Sequence, residues 1–456
     1  MAAAPPSITY LEFYSGIGGW GCALKEATDR INHSVQTGGL ESATTLTRLG
    51  AFDHSDLCNR VFHYNFPAEN SSKVEEQTAE VNQRQRKAKK RKNSSSATKP
   101  VCIESLTKEQ LEEKCAFIWM MSPPCQPHSR QHNNQNEDIQ DPRSKSFIHL
   151  CDMISSMDAR TLPRIIMLEN VVGFERSNSC RAWRQALRLR NYSVAHFHLN
   201  PTQCGIPNDR PRHYAMAVLL EAPISNDKKM NEDDDEIFKW FEEIKEQRTD
   251  NLAHSPPINT HLKPVGVMEP GHASNLSLLS HYLDVGDDKS ALYVPAKILN
   301  SDSSWCFDIL TPLDRRSACF TSSYGKFVRG TGSVLYETKG KDGANNENDQ
   351  ALERFRLVKP KDRKFDENWK EGLDLSGNLR YFSGTEIARL FGFPVAVAPT
   401  AGNDDHKCAF RFPPDCTNKQ QWRLLGNSIN VKVAGKICEA ALRLVRRSPE
   451  QNDINI

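Results

Sequence analysis

The apolar positions of this chain gather into short runs. Ile8–Tyr14, Thr47–Phe52, Phe117–Met121, Arg164–Leu168, Tyr192–Leu199 and Ala215–Leu220 have the length and bulk of buried strands. Helical signals fall between them: a helix beginning near Trp20, then Asp56–Tyr64, Ser144–Met157 and Ser179–Arg190, the last one basic and amphipathic. This alternation predicts an α/β fold with a mostly parallel sheet covered on both faces. Later in the chain, Arg380–Pro394 reads as an amphipathic helix stopped by Gly392 and Pro394, and a C-terminal helix is expected from roughly Asn430 to Val445.

Two stretches interrupt the pattern. Residues 68–100 are polar, with the basic tract Arg84–Lys92, and are too charged and too poor in apolar residues to fold. That tract reads as a solvated loop, a nuclear-localisation signal or an electrostatic arm for nucleic-acid phosphates. From Glu221 to Gly377 the rhythm breaks again, with an acidic tract at Asn231–Glu236, Pro256-Pro257 and a polar insertion at Lys339–Gln350. The expected organisation is a main domain over 1–220, a second domain over 221–377, a return to the first over 378–447, and a tail, 448–456.

Composition narrows the class. A chain of 456 residues with 38% hydrophobic content can bury a full core. No run is long enough to span a bilayer, and the start, Met-Ala-Ala-Ala-Pro-Pro, lacks a basic flank and an apolar signal core. An intracellular address, cytoplasm and/or nucleus, is expected. Thirteen cysteines without paired zinc-type spacing suggest reduced thiols, with neither a disulfide framework nor a structural metal. A net charge of +2 does not by itself demand a nucleic-acid partner.

The candidate chemistry lies at strand ends. The run Phe117–Met121 stops at Ser122-Pro123-Pro124-Cys125-Gln126-Pro127, and two prolines without amide donors force the backbone out of the ladder just before Cys125. A lone cysteine is more often a small buried hydrophobe than a nucleophile. Its company shifts the reading: the run ending at Leu168 leads into Glu169-Asn170-Val171, and Asn208-Asp209-Arg210-Pro211-Arg212-His213-Tyr214 opens the run at Ala215. The first run turns through Ser15-Gly16-Ile17-Gly18-Gly19, where glycines let backbone approach a ligand. Thr47–Phe52 ends in Asp53, either a solvated turn aspartate or the acid that nucleotide-binding folds offer to ribose hydroxyls.

In this order, Pro-Cys, Glu-Asn-Val and Arg-x-Arg resemble the cytosine-5 methyltransferase family. Ser-Pro-Pro-Cys-Gln-Pro, the ending Tyr64-Asn65-Phe66-Pro67, and Cys319-Phe320-Thr321 with Tyr324-Gly325 and Gly330–Leu335 look like its DNA methyltransferase 2-like branch, the tRNA (aspartate) cytosine-5 methyltransferases. The resemblance implies a Rossmann-like S-adenosylmethionine-dependent sheet with a smaller target-recognition domain over 221–377. It implies Cys125 as nucleophile, with Glu169, Arg210 and Arg212 completing a catalytic set around the base. It implies a cofactor site from Tyr14, Ile17, Gly18, Gly19, Asp53, His54, Ile103, Glu104, Ser122, Asn427 and Ser428, the last two carried beside the cofactor by a C-terminal helix packed on the first strand. Cys319, Phe320, Thr321, Tyr324 and Lys326 are the implied substrate contacts, where basic and aromatic groups interleave as single-stranded nucleic acid requires. The expected partner of this monomeric enzyme is aspartate tRNA, modified at an anticodon-loop cytosine, with S-adenosylmethionine as donor and without metal or membrane. A DNA cytosine-5 methyltransferase and a non-catalytic RNA-binding protein are the rivals.

Three positions depart from the family pattern. Asn208 stands where DNA-acting relatives carry Gln, Phe117 replaces an acidic residue common in this branch, and His128 replaces Phe after Gln126-Pro127. The second and third bear on a cofactor contact and on base stacking.

Overall fold

Each central strand buries both of its faces, and their alternation divides the core in two. In the computed structural model, Tyr10, Ile118, Met120, Ile165, Met167, Tyr214 and Met216 point into one apolar cluster, while Leu11, Phe13, Trp119, Met121, Ile166, Leu168, Ala215 and Ala217 point into another. Adjacent residues on one strand therefore enter opposite layers, as a period of two requires. The structure describes residues 7–38, 43–67, 102–124, 141–220, 276–286, 289–337, 346–358, 360–365, 368, 370–395 and 409–447. The basic tract 84–92, Cys125, His128, the acidic tract 231–236, Pro256-Pro257 and the tail 448–456 lie outside these.

The strands are β1 (Ser7–Phe13), β2 (Thr45–Phe52), β3 (Ile118–Met121), β4 (Ile165–Val171), β5 (Tyr192–Leu199) and β6 (Arg212–Leu219). They form one sheet in the order β2-β1-β3-β4-β6-β5. All neighbours run parallel except β6, which is antiparallel to both β4 and β5. No crossover helix separates β5 from β6, so the chain can only double back. A three-stranded sheet follows, from β7 (Ile309–Leu310), β8 (Val334–Tyr336) and β9 (Leu379–Arg380).

The helices are α1 (Gly19–Gly38), α2 (Asp56–Asn65), α3 (Lys108–Lys114), α4 (Lys145–Ser156), α5 (Asn178–Leu189), α6 (Ala296–Leu299), α7 (Asn346–Leu357), α8 (Pro360–Arg363), α9 (Gly384–Leu390), α10 (Asn418–Gly426) and α11 (Val431–Arg447). α3, α4 and α5 cover one face of the large sheet; α1 and α11 cover the other. The expected α/β architecture with both faces covered is therefore present. α11 makes its main contact with α1, and both share one apolar cluster with residues of β1. The polar insertion expected over Lys339–Gln350 is corrected in part. Its end belongs to α7, which buries Ala351, Leu352 and Phe355, because apolar residues at helical spacing begin just beyond Gln350. Among the described residues no helix is long and apolar enough to cross a membrane.

Two buried ionisable groups make this core sensitive. Arg380 on β9 is fully enclosed and forks onto Glu386, Nη1 to Oε2 at 2.8 Å and Nη2 to Oε1 at 2.9 Å, while its Nε meets Glu337 Oε2 at 2.7 Å. Glu12 on β1 is buried beneath the start of α1, where the Trp20 amide donates to its Oε1 at 3.2 Å. A helix N-terminus favours an anion by about 2 kcal/mol at most, whereas burying one costs several. Burial wins and pushes the Glu12 carboxyl up to about 8, with Arg48 offsetting part of the rise.

Arg380→Ala strands Glu386 without its counter-charge and should destabilise the fold by about 3–5 kcal/mol in chemical denaturation. For Glu12 the folded state favours the protonated form. Its contribution is full below the ordinary carboxyl range near 4.5 and is lost as pH rises through about 8. His196 has the opposite sign: burial and Arg184 push it down from 6.5 to about 4, so its contribution is present above 6.5 and lost as pH falls through 4. Where the two windows overlap they offset one another, so the denaturation midpoint should be highest between about pH 4.5 and 6.5, fall below and above that range, and lose its alkaline fall in Glu12→Gln.

Candidate active site

The site is built at the C-terminal edge of the large sheet, where β1, β3 and β4 release their chains. After β3, the Ser122 amide still reaches the Phe13 carbonyl at 3.4 Å, and the prolines then carry the backbone away. Asn170 on β4 donates from Nδ2 to the Pro123 carbonyl at 3.1 Å, so the segment leading to Cys125 is tied to the neighbouring strand. Cys125 itself lies outside the described residues.

Glu169 is buried at the end of β4 with Arg212 beside it, Nε to Oε1 at 3.4 Å. Burial raises its carboxyl above the ordinary range, while Arg212, Arg210 and the Ser122 hydroxyl offset part of the rise. A carboxyl in this environment can hold a proton for a hydrogen-bonded partner.

The two arginines of the expected catalytic set are held differently. Arg210 is buried and both of its Nη groups are committed to the protein: Nη1 donates to the Phe320 carbonyl at 3.0 Å, and Nη2 to the carbonyls of Gly426 at 3.0 Å and Ser428 at 2.7 Å, while Nε has no partner among the described residues. Phe391 stacks beneath it at 4.7 Å. Arg210 thus clamps the Cys319–Phe320 segment to the turn after α10, and Arg212 is the arginine facing Glu169. Gly426 permits this approach, since any side chain there would collide with the backbone of Thr321 and Ser322.

Cys319 lies against both cations, 3.3 Å from Arg210 Nη1 and 3.9 Å from Arg212 Nη2. Burial alone would push its thiol up, but the two guanidiniums outweigh burial and lower it. The other expected substrate contacts divide. Phe320 and Tyr324 are core residues, packed edge to face at 5.0 Å; the Tyr324 hydroxyl donates to the Ser333 carbonyl at 2.6 Å. Their rings are unavailable to a ligand, because the motif's aromatic spacing serves the packing of the loop on Trp422 and Phe382. Thr321 is half-buried, its amide bonded to the Thr331 carbonyl at 2.9 Å, and Lys326 is exposed.

The expected cofactor residues converge on the turn after β1. Tyr14, Gly16 and Gly18 take positive φ there, and Ile17 is buried. The Gly16 amide donates to Asp53 Oδ2 at 2.9 Å and the Ser55 amide to Oδ1 at 2.8 Å, which fixes the Asp53 carboxylate at the end of β2. Gly18 lies against the Phe66 ring, where a side chain would collide, and Ile429 and Ser428 close over Gly19. Asn427 is exposed beside Ser428. Of the pair 103–104, Ile103 is buried and Glu104 exposed; His54 is exposed beside Asp53. Phe117 is half-buried, its amide held by Thr9 Oγ1 at 3.0 Å. Asn208, the first departure, is buried and donates to the Ser317 hydroxyl and the Ala318 carbonyl, both at 3.1 Å.

Sequence reading missed three supports. Trp20 donates from Nε1 to the Ser122 hydroxyl at 2.9 Å, tying the glycine turn to the segment that leaves β3. Glu12 anchors the start of α1. Asn200 accepts the Arg210 amide at 3.0 Å and donates to Asp209 at 2.7 Å. A polar residue inside or just after an apolar run was the available signal for Glu12 and Asn200; Trp20 carried none.

This arrangement can be set beside known proteins. The chain is 29% identical to the tRNA (cytosine(38)-C(5))-methyltransferase of Bos taurus over 94% of its own length and 97% of that protein. It is 30% identical to the DNA (cytosine-5)-methyltransferase of Dictyostelium discoideum, covering 94% of this chain and 91% of that one. Its fold matches the crystal structure of the S. pombe Dnmt2 methyltransferase with a TM-score of 0.59 at 25% identity, over 96% of this chain and 99% of that one. The description of C-5 cytosine-specific DNA methylases matches residues 8–443, nearly the whole chain from β1 to α11, and on that extent the protein belongs to the C-5 cytosine-specific DNA methylase family.

Proposed function

We propose that this enzyme methylates carbon 5 of a cytosine in RNA, and that its substrate is cytosine 38 in the anticodon loop of aspartate tRNA, the position named for the Bos taurus relative. The observation that carries the chemistry is the buried Glu169 carboxyl beside Arg212 at the sheet edge. The relative named as a tRNA enzyme favours RNA, and so does substrate access: a base in a loop is presented without the cost of unstacking a duplex. DNA is the second reading, favoured by the printed name of the Dictyostelium relative.

S-adenosylmethionine is the donor this family implies, and the residues of the glycine turn fit it. The Ser15 hydroxyl is enclosed there without a hydrogen-bond partner among the described residues, and each Asp53 oxygen keeps a lone pair beyond the amide it accepts. Asp53 would hold the ribose hydroxyls, Ile103 and Glu104 the adenine, and the turn from Tyr14 to Gly19 with Ser122 and Ser428 the remainder. When bound, the donor supplies an electrophilic methyl group from its sulfonium.

The chain's own residues do the rest. The Cys125 thiolate adds to carbon 6 of cytosine, forming a carbon–sulfur bond and moving electron density onto carbon 5. Glu169 shares its proton with ring N3, so negative charge does not accumulate during the addition. Arg212 holds the Glu169 carboxyl in place and adds positive charge beside the base; Arg210 positions the loop around it. Once carbon 5 carries the methyl group, loss of its proton restores the double bond and expels the thiolate.

Incubation with labelled donor and either total tRNA or duplex DNA should label tRNA; label on DNA alone would overturn the substrate. Cys125→Ala should abolish both transfer and the covalent adduct with RNA containing 5-fluorocytosine. Glu169→Gln should lower kcat about 10²–10⁴-fold. Because the protonated carboxyl is the competent form, the wild-type rate should fall as pH rises through its raised pKa, a limb missing from the Gln variant. Arg212→Lys should lower kcat at little cost in Tm, whereas Arg210→Lys should lower Tm, since it breaks the clamp.

A further inference from the structure

We propose that a second site, a cavity of about 350 Å³ walled by α1, α9 and α11, binds a phosphate group. This inference stands independently of the substrate proposed above. Four cations converge on the cavity: Arg30 from α1, Arg389 from α9, and Lys432 and Lys436 from α11; Ile206 and Tyr282 supply apolar wall. Glu169 and Arg212 do not line it, so it is separate from the active site.

The charge count in and behind the wall favours an anion. Glu26 is shared by Lys432 Nζ at 2.6 Å and Arg30 Nη1 at 2.8 Å. Glu439 is shared by Arg443 Nη2 at 2.8 Å, Arg30 Nε at 3.4 Å and Lys436 Nζ at 3.8 Å. Asp284 serves Arg389 Nη1 at 2.7 Å. Five cations therefore divide three carboxylates, and the positive excess lies where helices converge with low-dielectric walls behind them. Lys436 is beyond hydrogen-bond distance of its carboxylate and keeps its donors for a ligand. Arg30 Nη2 is enclosed and has no hydrogen-bond partner among the described residues. Phosphate oxygens would accept from these groups in charge-assisted bonds. The volume suits a phosphorylated small molecule, with Tyr282 and Ile206 beside its uncharged part; the terminal phosphate of an RNA strand carries the same chemistry.

The test uses the full-length protein and thermal denaturation in inorganic phosphate, compared with chloride at equal ionic strength. A saturable rise in Tm specific to phosphate is expected, with half-saturation about tenfold higher in Lys436→Glu. Lys436→Gln serves if the charge reversal fails to fold. Equal rises in phosphate and chloride, or equal half-saturation in wild type and variant, would overturn the site. Adenosine monophosphate acting below the inorganic phosphate concentration identifies a small-molecule source; a 5′-phosphorylated RNA oligomer doing so in its place identifies nucleic acid, and both support the site. Methyl transfer measured on the same variants keeps the two proposals apart, since loss of phosphate binding with transfer intact affects this one alone.

Discussion

The site depends on one buried cation. Arg210 arrives from the loop before β6 and spends its guanidinium on carbonyls from the Phe320 segment and from the turn at Gly426–Ser428. These segments are separated by about a hundred residues or more in sequence, and none forms a regular ladder with the others. A guanidinium is planar, always charged and has five donors in a fixed fork. It can therefore satisfy several loop carbonyls that would otherwise be buried without partners, each a costly omission. The clamp places Cys319 against Arg212 and Ser428 against the glycine turn, so the loop at Cys319 and the turn at Ser428 share one anchor.

Around this anchor, burial tunes the titratable groups in opposite directions. Glu169 and Glu12 are acids without enough counter-charge to offset desolvation, and their carboxyls rise. Cys319 is half-buried, and there two guanidiniums outweigh burial and its thiol falls. The difference is the ratio of near cations to lost water. A sheet edge that mixes such groups shifts a carboxyl and a thiol in opposite directions around the same pair of arginines.

The central strands were legible because both of their faces are buried. A run such as Ile165–Leu168 has no polar face to confuse with a loop, and its end at Glu169 marks where the sheet stops. The glycine turn was legible because positive φ at Gly16 and Gly18 leaves few alternatives to glycine. The aromatic loop after Cys319 misled: spacing of aromatic and basic residues is the same for a stacking surface and for a packed loop, and only the arrival of Trp422 and Phe382 from later in the chain buries Phe320 and Tyr324. The helix beyond Gln350 was hidden because its first turns, Asn346–Gln350, are entirely polar.

By itself, the sequence determined the α/β layering, the positions of the strand ends and the identities of the groups offered there, since each follows from local periodicity and from residues that cannot be buried without a partner. Tertiary structure alone decided which arginine faces Glu169 and which is consumed as a clamp, and which aromatics are core. Those outcomes turn on contacts between segments far apart in the chain, and the energy of a buried charge depends on every group that replaces its water, which no local pattern records.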